Sequence, residues 1–133
     1  SDSETADVGV AEIKSAVFEN AKYTSRDSVA AYLCRFGKLP GNYVSKSEGM
    51  LLYERKTGNG FRKWNFNPWI TLNVMIGGDE FRNTDNQLPP ADYHEADVDY
   101  FADNRGTKRL IYSAGCIIYY SPDHYRTFSL IRF

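Results

Sequence analysis

The stretch Lys108-Arg109-Leu110-Ile111-Tyr112-Ser113-Ala114-Gly115-Cys116-Ile117-Ile118-Tyr119-Tyr120 decides the fold. Two runs of β-branched and aromatic residues, Lys108–Ser113 and Cys116–Tyr120, flank Ala114-Gly115. Such runs around a short turn read as an antiparallel hairpin. C-terminally, Thr127–Ile131 reads as a last strand with Phe128 and Leu130 on one face. N-terminally, Glu95–Tyr100 alternates polar and apolar residues, and a β-prone run Val74–Ile76 is expected to end at Gly77-Gly78. Before residue 72 the period changes from two to that of a helix. Val29, Tyr32, Leu33 and Phe36 recur at i, i+3, i+4 and i+7. Ser25 is the expected N-cap, Gly37 the C′ residue, and Pro40 forbids continuation. Ser45-Lys46-Ser47-Glu48 is a capping box opening a second helix to about Tyr53. Residues 55–70, which include Pro68, read as a long loop containing a short helix. Helices first and strands later is the α+β pattern, with the N-terminal helices packed on one face of a C-terminal antiparallel β-sheet. The other face is then open to an extended ligand.

The chain of 133 residues fits one domain. At that size it can bury roughly two-thirds of its unfolded surface and needs no metal or disulfide to fold. No apolar run approaches the ~20 residues of a membrane span, and no basic and then apolar leader opens the sequence. The formal net charge of −1 weighs against a nucleic-acid partner. The charge is unevenly spread, however. Residues 1–23 hold five acidic and two basic side chains, which leaves the remainder at +2. Residues 1–23 are therefore expected to be an acidic extension before a domain at 24–133. Its opening reads as disordered. Val10, Ile13 and Val17, with Phe18 nearby, suit a weakly amphipathic helix docked on the domain. Aromatic residues make up 15% of the chain. Most are expected in the core, and a minority are available to stack on bases.

Taken singly, the polar residues of interest have plain readings. Glu95 is a strand carboxylate, Arg105 and Arg109 a solvated pair, His124 a loop histidine after Pro122-Asp123, and Lys46 an exposed helix lysine. Their order changes this. Lys46-Ser47-Glu48 comes first, then Ile76-Gly77-Gly78-Asp79-x-Phe81-x-Asn83. Glu95-Ala96-Asp97-x-Asp99-Tyr100 and Arg105-x-x-x-Arg109-x-Ile111-Tyr112-Ser113 follow, and Asp123-His124-Tyr125-x-Thr127-Phe128 comes last. Together with Tyr32-Leu33, Lys38-Leu39-Pro40 and Asn42-Tyr43, this series closely resembles the barnase-like microbial ribonucleases, which prefer to cut RNA after guanosine.

The resemblance implies a metal-independent endoribonuclease acting on single-stranded RNA, with no cofactor. The RNA supplies its own nucleophile, the 2′-hydroxyl. Glu95 matches the general base, His124 the general acid, and Lys46, Arg105 and Arg109 the cations around the phosphate. The product implied is a 2′,3′-cyclic phosphate, hydrolysed more slowly. A carboxylate beside two arginines stays ionised, and a histidine near a carboxylate is expected to hold its proton near neutrality. Asp79 and Asp97 are expected in structural support, Asp97 within a charge network with both arginines. Base selection falls to Phe81-Arg82-Asn83-Thr84-Asp85, with Asp85 at the carboxylate position and Tyr125 as stacking platform; a sheet-edge aromatic is the other reading of Tyr125.

The sequence also departs from the family. Asp85 stands where the family has glutamate, Thr84 where it has arginine, Asn104 phenylalanine, Gly37 histidine, Cys116 tryptophan and Gly115 aspartate. The segment Pro90–His94 is shorter, and the segment between Glu48 and Ile76 is longer. In the latter, Arg55, Lys56, Arg62, Lys63, Trp64 and Trp69 either extend the RNA groove or form a solvated loop with buried tryptophans. Cys34 and Cys116 form either a disulfide, fitting secretion, or two separate buried thiols. No ligand set has zinc spacing. The implied setting is a secreted enzyme or a delivered toxin domain, monomeric, without a membrane span. A barstar-like inhibitor or immunity protein is the implied protein partner. The competing readings are a catalytically silent RNA- or protein-binding module and a metal-dependent nuclease using Asp79, Glu95 and Asp97.

Overall fold

A computed structural model describes residues 16–133. Helix α1 spans Arg26–Phe36, strand β1 Tyr43–Val44, α2 Lys46–Thr57 and α3 Pro68–Leu72. The strands β2 Met75–Phe81, β3 Tyr93–Asp97, β4 Arg109–Ser113, β5 Ile117–Ser121 and β6 Ser129–Ile131 follow. The fold is α+β, with one six-stranded sheet ordered β1-β2-β3-β4-β5-β6. All neighbours are antiparallel except β1 and β2, whose parallel pairing the sequence pattern does not signal. β1 has two residues, too few for any period to register.

The hairpin of β4 and β5 forms with Arg109 opposite Ser121 and Ser113 opposite Ile117. Its turn is three residues long rather than two, because Gly115 and Cys116 both take positive φ, 81° and 63°. A larger difference concerns Gly77-Gly78. The glycines do not end β2 but carry it through an irregularity between Gly77 and Glu80. A Cβ on Gly77 would lie 2.8 Å from Tyr43 Cδ2 and 2.9 Å from Ala96 Cβ, so β1 and β3 close on that backbone from both sides. Glycine here permits a close approach rather than a turn.

Period-two alternation sorts the sheet residues. Leu110 and Ile118 point to the helix side and, with Val98, pack against Val29, Ala30 and Leu33 of α1. Each such buried aliphatic contributes about 1.5–3 kcal/mol, so Leu110→Ala would loosen this layer most directly. The stripe expected on α1 is split between two partners: Ala31 and Tyr32 turn away from the sheet to cover Val17. Tyr32 donates to the Glu19 carbonyl at 2.6 Å and Arg35 to the Val17 carbonyl at 3.2 Å. Most of the helix expected around Val10, Ile13 and Val17 lies outside the described residues; Phe18 is exposed.

Helix ends follow local chemistry with one exception. Ser45 accepts from the Glu48 N–H at 3.2 Å, and α2 runs past Tyr53 to a left-handed Gly58. Asn67 caps α3 through the amides of Trp69 and Ile70. Ser25 has N-cap backbone geometry but makes no side-chain cap. The Arg26 amide instead donates to Asp99 Oδ1 at 3.2 Å, a partner 73 residues away. Cys34 at the end of α1 and Cys116 in the hairpin turn form a disulfide, with Cα atoms 4.5 Å apart.

The sheet face away from α1 is only partly open. Leu88, Tyr93 and Ile111 form a second core there, packed by Phe81, Tyr119, Tyr125 and Phe128. Ile111 and Tyr119 are apolar on that face and draw the 81–93 connection over one end of it. The other end keeps its polar residues. No helix among the described residues is long and apolar enough to cross a membrane.

Candidate active site

Residues Glu95, Asp97 and Arg109 all fall on the second face, since Glu95 sits opposite Ile111 and Asp97 opposite Arg109. All three are nearly buried. A buried charge needs partners, and they are supplied from loops and α2. The Arg105 Nε and Nη2 both donate to the Asp97 carboxylate, Nη2 at 3.0 Å. Arg109 Nε lies 3.0 Å from Asp97 Oδ1, close enough for an ion pair but poorly aligned for a hydrogen bond. The other Arg109 nitrogens donate to the carbonyls of Lys108 and Gly106. Tyr100 donates to Asp97 Oδ2 at 2.6 Å and accepts the Ile76 amide. Asp97 is thus the shared anchor of two guanidinium groups. Burial lowers the Arg105 pKa, and the Asp97 hydrogen bond and charge more than reverse it, leaving it raised.

Glu95 takes a different cation. Lys46 Nζ donates to Glu95 Oε1 at 2.7 Å. The Lys46 amide donates to Asp79 Oδ2 at 2.9 Å, so Asp79 fixes the N-terminus of α2 to the bulged end of β2. Each carboxylate of the proposed metal triad, Asp79, Glu95 and Asp97, is engaged by a different donor. Among the described residues no group of three or more His, Cys, Asp or Glu is arranged around a metal position.

His124 and Tyr125 lie after β5, both with positive φ, 55° and 73°. Asp123 holds this turn: its Oδ1 accepts from Ser121 Oγ and from the Arg126 and Thr127 amides, and its Oδ2 accepts from Thr127 Oγ1. Those donors, Thr127 foremost, bring its pKa down to about 2. The His124 amide donates to the Thr107 carbonyl at 3.0 Å, tying the turn to the arginine loop. His124 is exposed. Burial of its ring and then the charges of Arg109 and Arg105 lower its pKa below the usual 6.5, with Glu95 opposing. The expectation that the carboxylate keeps the histidine protonated near neutrality is therefore reversed. The arginines expected at the phosphate also act on the imidazole.

Phe81, Arg82, Asn83, Thr84, Asp85, Gln87 and Tyr125 line a recess of about 200 Å³. Asn83 shapes it, accepting the Leu88 amide and donating to the Leu88 carbonyl. Arg82, Thr84 and Asp85 are exposed at its rim. The Tyr125 ring lies 5.1 Å from Phe81 and 4.8 Å from His124. Its hydroxyl is buried near Glu95 without a hydrogen-bond partner among the described residues. Burial first, then the Glu95 charge, raises its pKa. Gln87, which donates to the Arg126 carbonyl at 3.4 Å, has no counterpart in the sequence reading, and Tyr100 stands there in a motif without a role. The spacing Asp97-x-x-Tyr100 carried the Tyr100 signal, whereas Gln87 had none.

A family model described as ribonuclease matches residues 26–132. The chain belongs to the barnase-like microbial ribonuclease family. A ribonuclease of Bacillus intermedius is 35% identical over 132 residues, 96% of this chain and 77% of that protein. One of Heyndrickxia coagulans is 39% identical over 110 residues, 80% of this chain and 94% of its own. One of Bacillus pumilus is 38% identical over 110 residues, with 64% of its length covered. The chain is accordingly an RNA-cleaving enzyme, an endoribonuclease.

Proposed function

We propose that this ribonuclease cleaves single-stranded RNA, preferentially after guanosine, without a metal or cofactor. Glu95 removes the 2′-OH proton, the 2′-oxygen forms a bond to phosphorus, and the bond to the 5′-oxygen breaks. His124 gives its proton to that oxygen. The 2′,3′-cyclic phosphate is then hydrolysed with the two roles reversed. Lys46, Arg105 and Arg109 stabilise the charge that develops on the equatorial oxygens.

One observation carries the reading. A nearly buried glutamate and an exposed histidine flank Lys46 and two arginines, and the arginine forks are fixed from behind by Asp97. The recess lined by Phe81–Asp85 and Tyr125 supports base selection, with Asp85 accepting from the guanine ring N–H and amino group. The disulfide supports a secreted or exported enzyme, since such bonds persist in oxidising compartments. The same cations suit an acidic, barstar-like inhibitor protein, and a monomer suffices for the chemistry. Dinucleoside phosphates with guanosine or uridine upstream, incubated in EDTA, test the reading. Guanosine is expected to be cut fastest; equal rates would remove the base preference, and uncut RNA would overturn the reading.

A further inference from the structure

A cavity of about 650 Å³ lies on the helix side of the sheet, between the end of α1 and the hairpin of β4 and β5. Leu33, His94, Tyr112 and Ile118 line it, and the Cys34–Cys116 disulfide borders it. His94 pairs with Tyr112, and Tyr112 with Ile118, across neighbouring strands, so the three share one face. Glu95 and Ile111, their neighbours along β3 and β4, point to the other face. The cavity shares no lining residue with the base recess and none with the proposed catalytic group. Its size falls within the roughly 300–1,000 Å³ usual for small-molecule sites.

Gly37 and Gly115 keep the cavity open. A Cβ on either would meet no atom within 4 Å. Gly37, Gly115 and Cys116 are three of the positions at which the sequence departs from its family, each time to a smaller side chain. Ala91, Asp92 and His94 lie in the segment that is shorter, and they line the same cavity. These departures converge on one place and remove side-chain volume from it.

The walls select the ligand. Leu33, Ile118 and the 42%-exposed Ile117 supply apolar surface. The His94 and Tyr112 rings, 5.9 Å apart and tilted by 31°, form an aromatic wall on which a planar ring packs well. The His94 Nδ1 donates to the Gly78 carbonyl at 3.0 Å, so Nε2 of the neutral ring is an acceptor. Asp92 is exposed and forms no ion pair among the described residues. No described Lys or Arg lines the cavity. A negative charge with no positive one beside it favours a cationic ligand over a phosphate or carboxylate. We propose that this cavity binds a small aromatic amine, its ring against the His94–Tyr112 wall and its ammonium beside Asp92. The site is independent of the cleavage chemistry and stands or falls without it.

The test titrates three probes with the same ring system into the full chain: tryptamine, a cation; indole, neutral; and indole-3-acetate, an anion. Amide and side-chain NMR shifts locate each probe. Tryptamine is expected to saturate and to bind tightest, indole-3-acetate weakest, with the shifts centred on His94, Tyr112 and Ile117. Asp92→Asn is expected to weaken tryptamine about threefold, as for an exposed ion pair, and to leave indole unchanged. Ala91→Trp, which fills the mouth of the cavity, is expected to weaken both. Indole-3-acetate binding as tightly as tryptamine would overturn the inference, as would shifts centred on Phe81 and Tyr125 or a tryptamine affinity unchanged in Asp92→Asn. No saturation by any probe would overturn it too. Should either variant not fold, the three probes on the wild type decide by their order and by the place of their shifts.

Discussion

The Lys46 ammonium donates to Glu95 Oε1 across 2.7 Å, joining the first turn of α2 to the middle of β3. Without RNA the proposed base and one proposed phosphate ligand occupy each other. Lys46 is 39% exposed at its side chain, so solvent screens the pair and it adds little to stability. Glu95→Gln is therefore expected to lower kcat/KM by ~10²-fold or more with a nearly unchanged urea midpoint. A near-normal rate in this variant would refute the assignment of the base.

The His124 pKa lies below 6.5, through burial and then through Arg109 and Arg105. A general acid must carry its proton, so kcat/KM for the cleavage step should fall as pH rises through that lowered value. Phosphate bound between the arginines offsets their charge and should raise it. An NMR titration of the imidazole is expected to give a midpoint below 6.5, moving up when inorganic phosphate is added; a midpoint above 6.5 in the free protein would contradict this. The sign for stability is opposite to that of activity. The unfolded chain binds this proton more readily, so the contribution of His124 is complete above pH 6.5 and is lost as pH falls through the folded value.

Asp97 is 2% exposed and stands between Arg105 and Arg109. Asp97→Ala leaves a buried Arg109 without its counter-charge, and removing one partner of a buried pair costs about 3–5 kcal/mol. Equilibrium urea unfolding should show a loss of that order, well beyond that of Glu95→Gln. Equal midpoints for the two variants would mean that Asp97 does not anchor the arginines.

Much of the fold was legible because its signals are local. The hairpin around Ala114-Gly115, the Ser45 cap and the alternation that puts Glu95 and Asp97 on one face each depend on residues a few positions apart, and Arg109 joins that face by pairing with Asp97. What was not legible depends on distant partners. Gly77-Gly78 looks like a turn until Tyr43 and Ala96 close on it. Ser25 looks like a cap until Asp99 takes its place. The direction of the His124 shift depends on how near the arginines stand, which residue order does not state. Trp64 reads as core or groove with equal ease until Gly49 and Arg105 show where it is wedged.

The disulfide joins positions 82 residues apart. Restricting an unfolded loop of that length typically stabilises by about 2–4 kcal/mol. Replacing Cys34 and Cys116 together by alanine should lower the urea midpoint accordingly, as should a reductant acting on the wild type. Insensitivity to both would show that the cross-link adds nothing.

The most direct test of the central claim is product analysis by ³¹P NMR during digestion of RNA in EDTA, alongside a matched strand carrying 2′-deoxyguanosine at each cleavage site. The account predicts a 2′,3′-cyclic phosphate resonance that appears first and decays slowly, and no cleavage at the deoxy positions. Cleavage at the deoxy positions, or direct formation of a linear phosphate with no cyclic species, would contradict it.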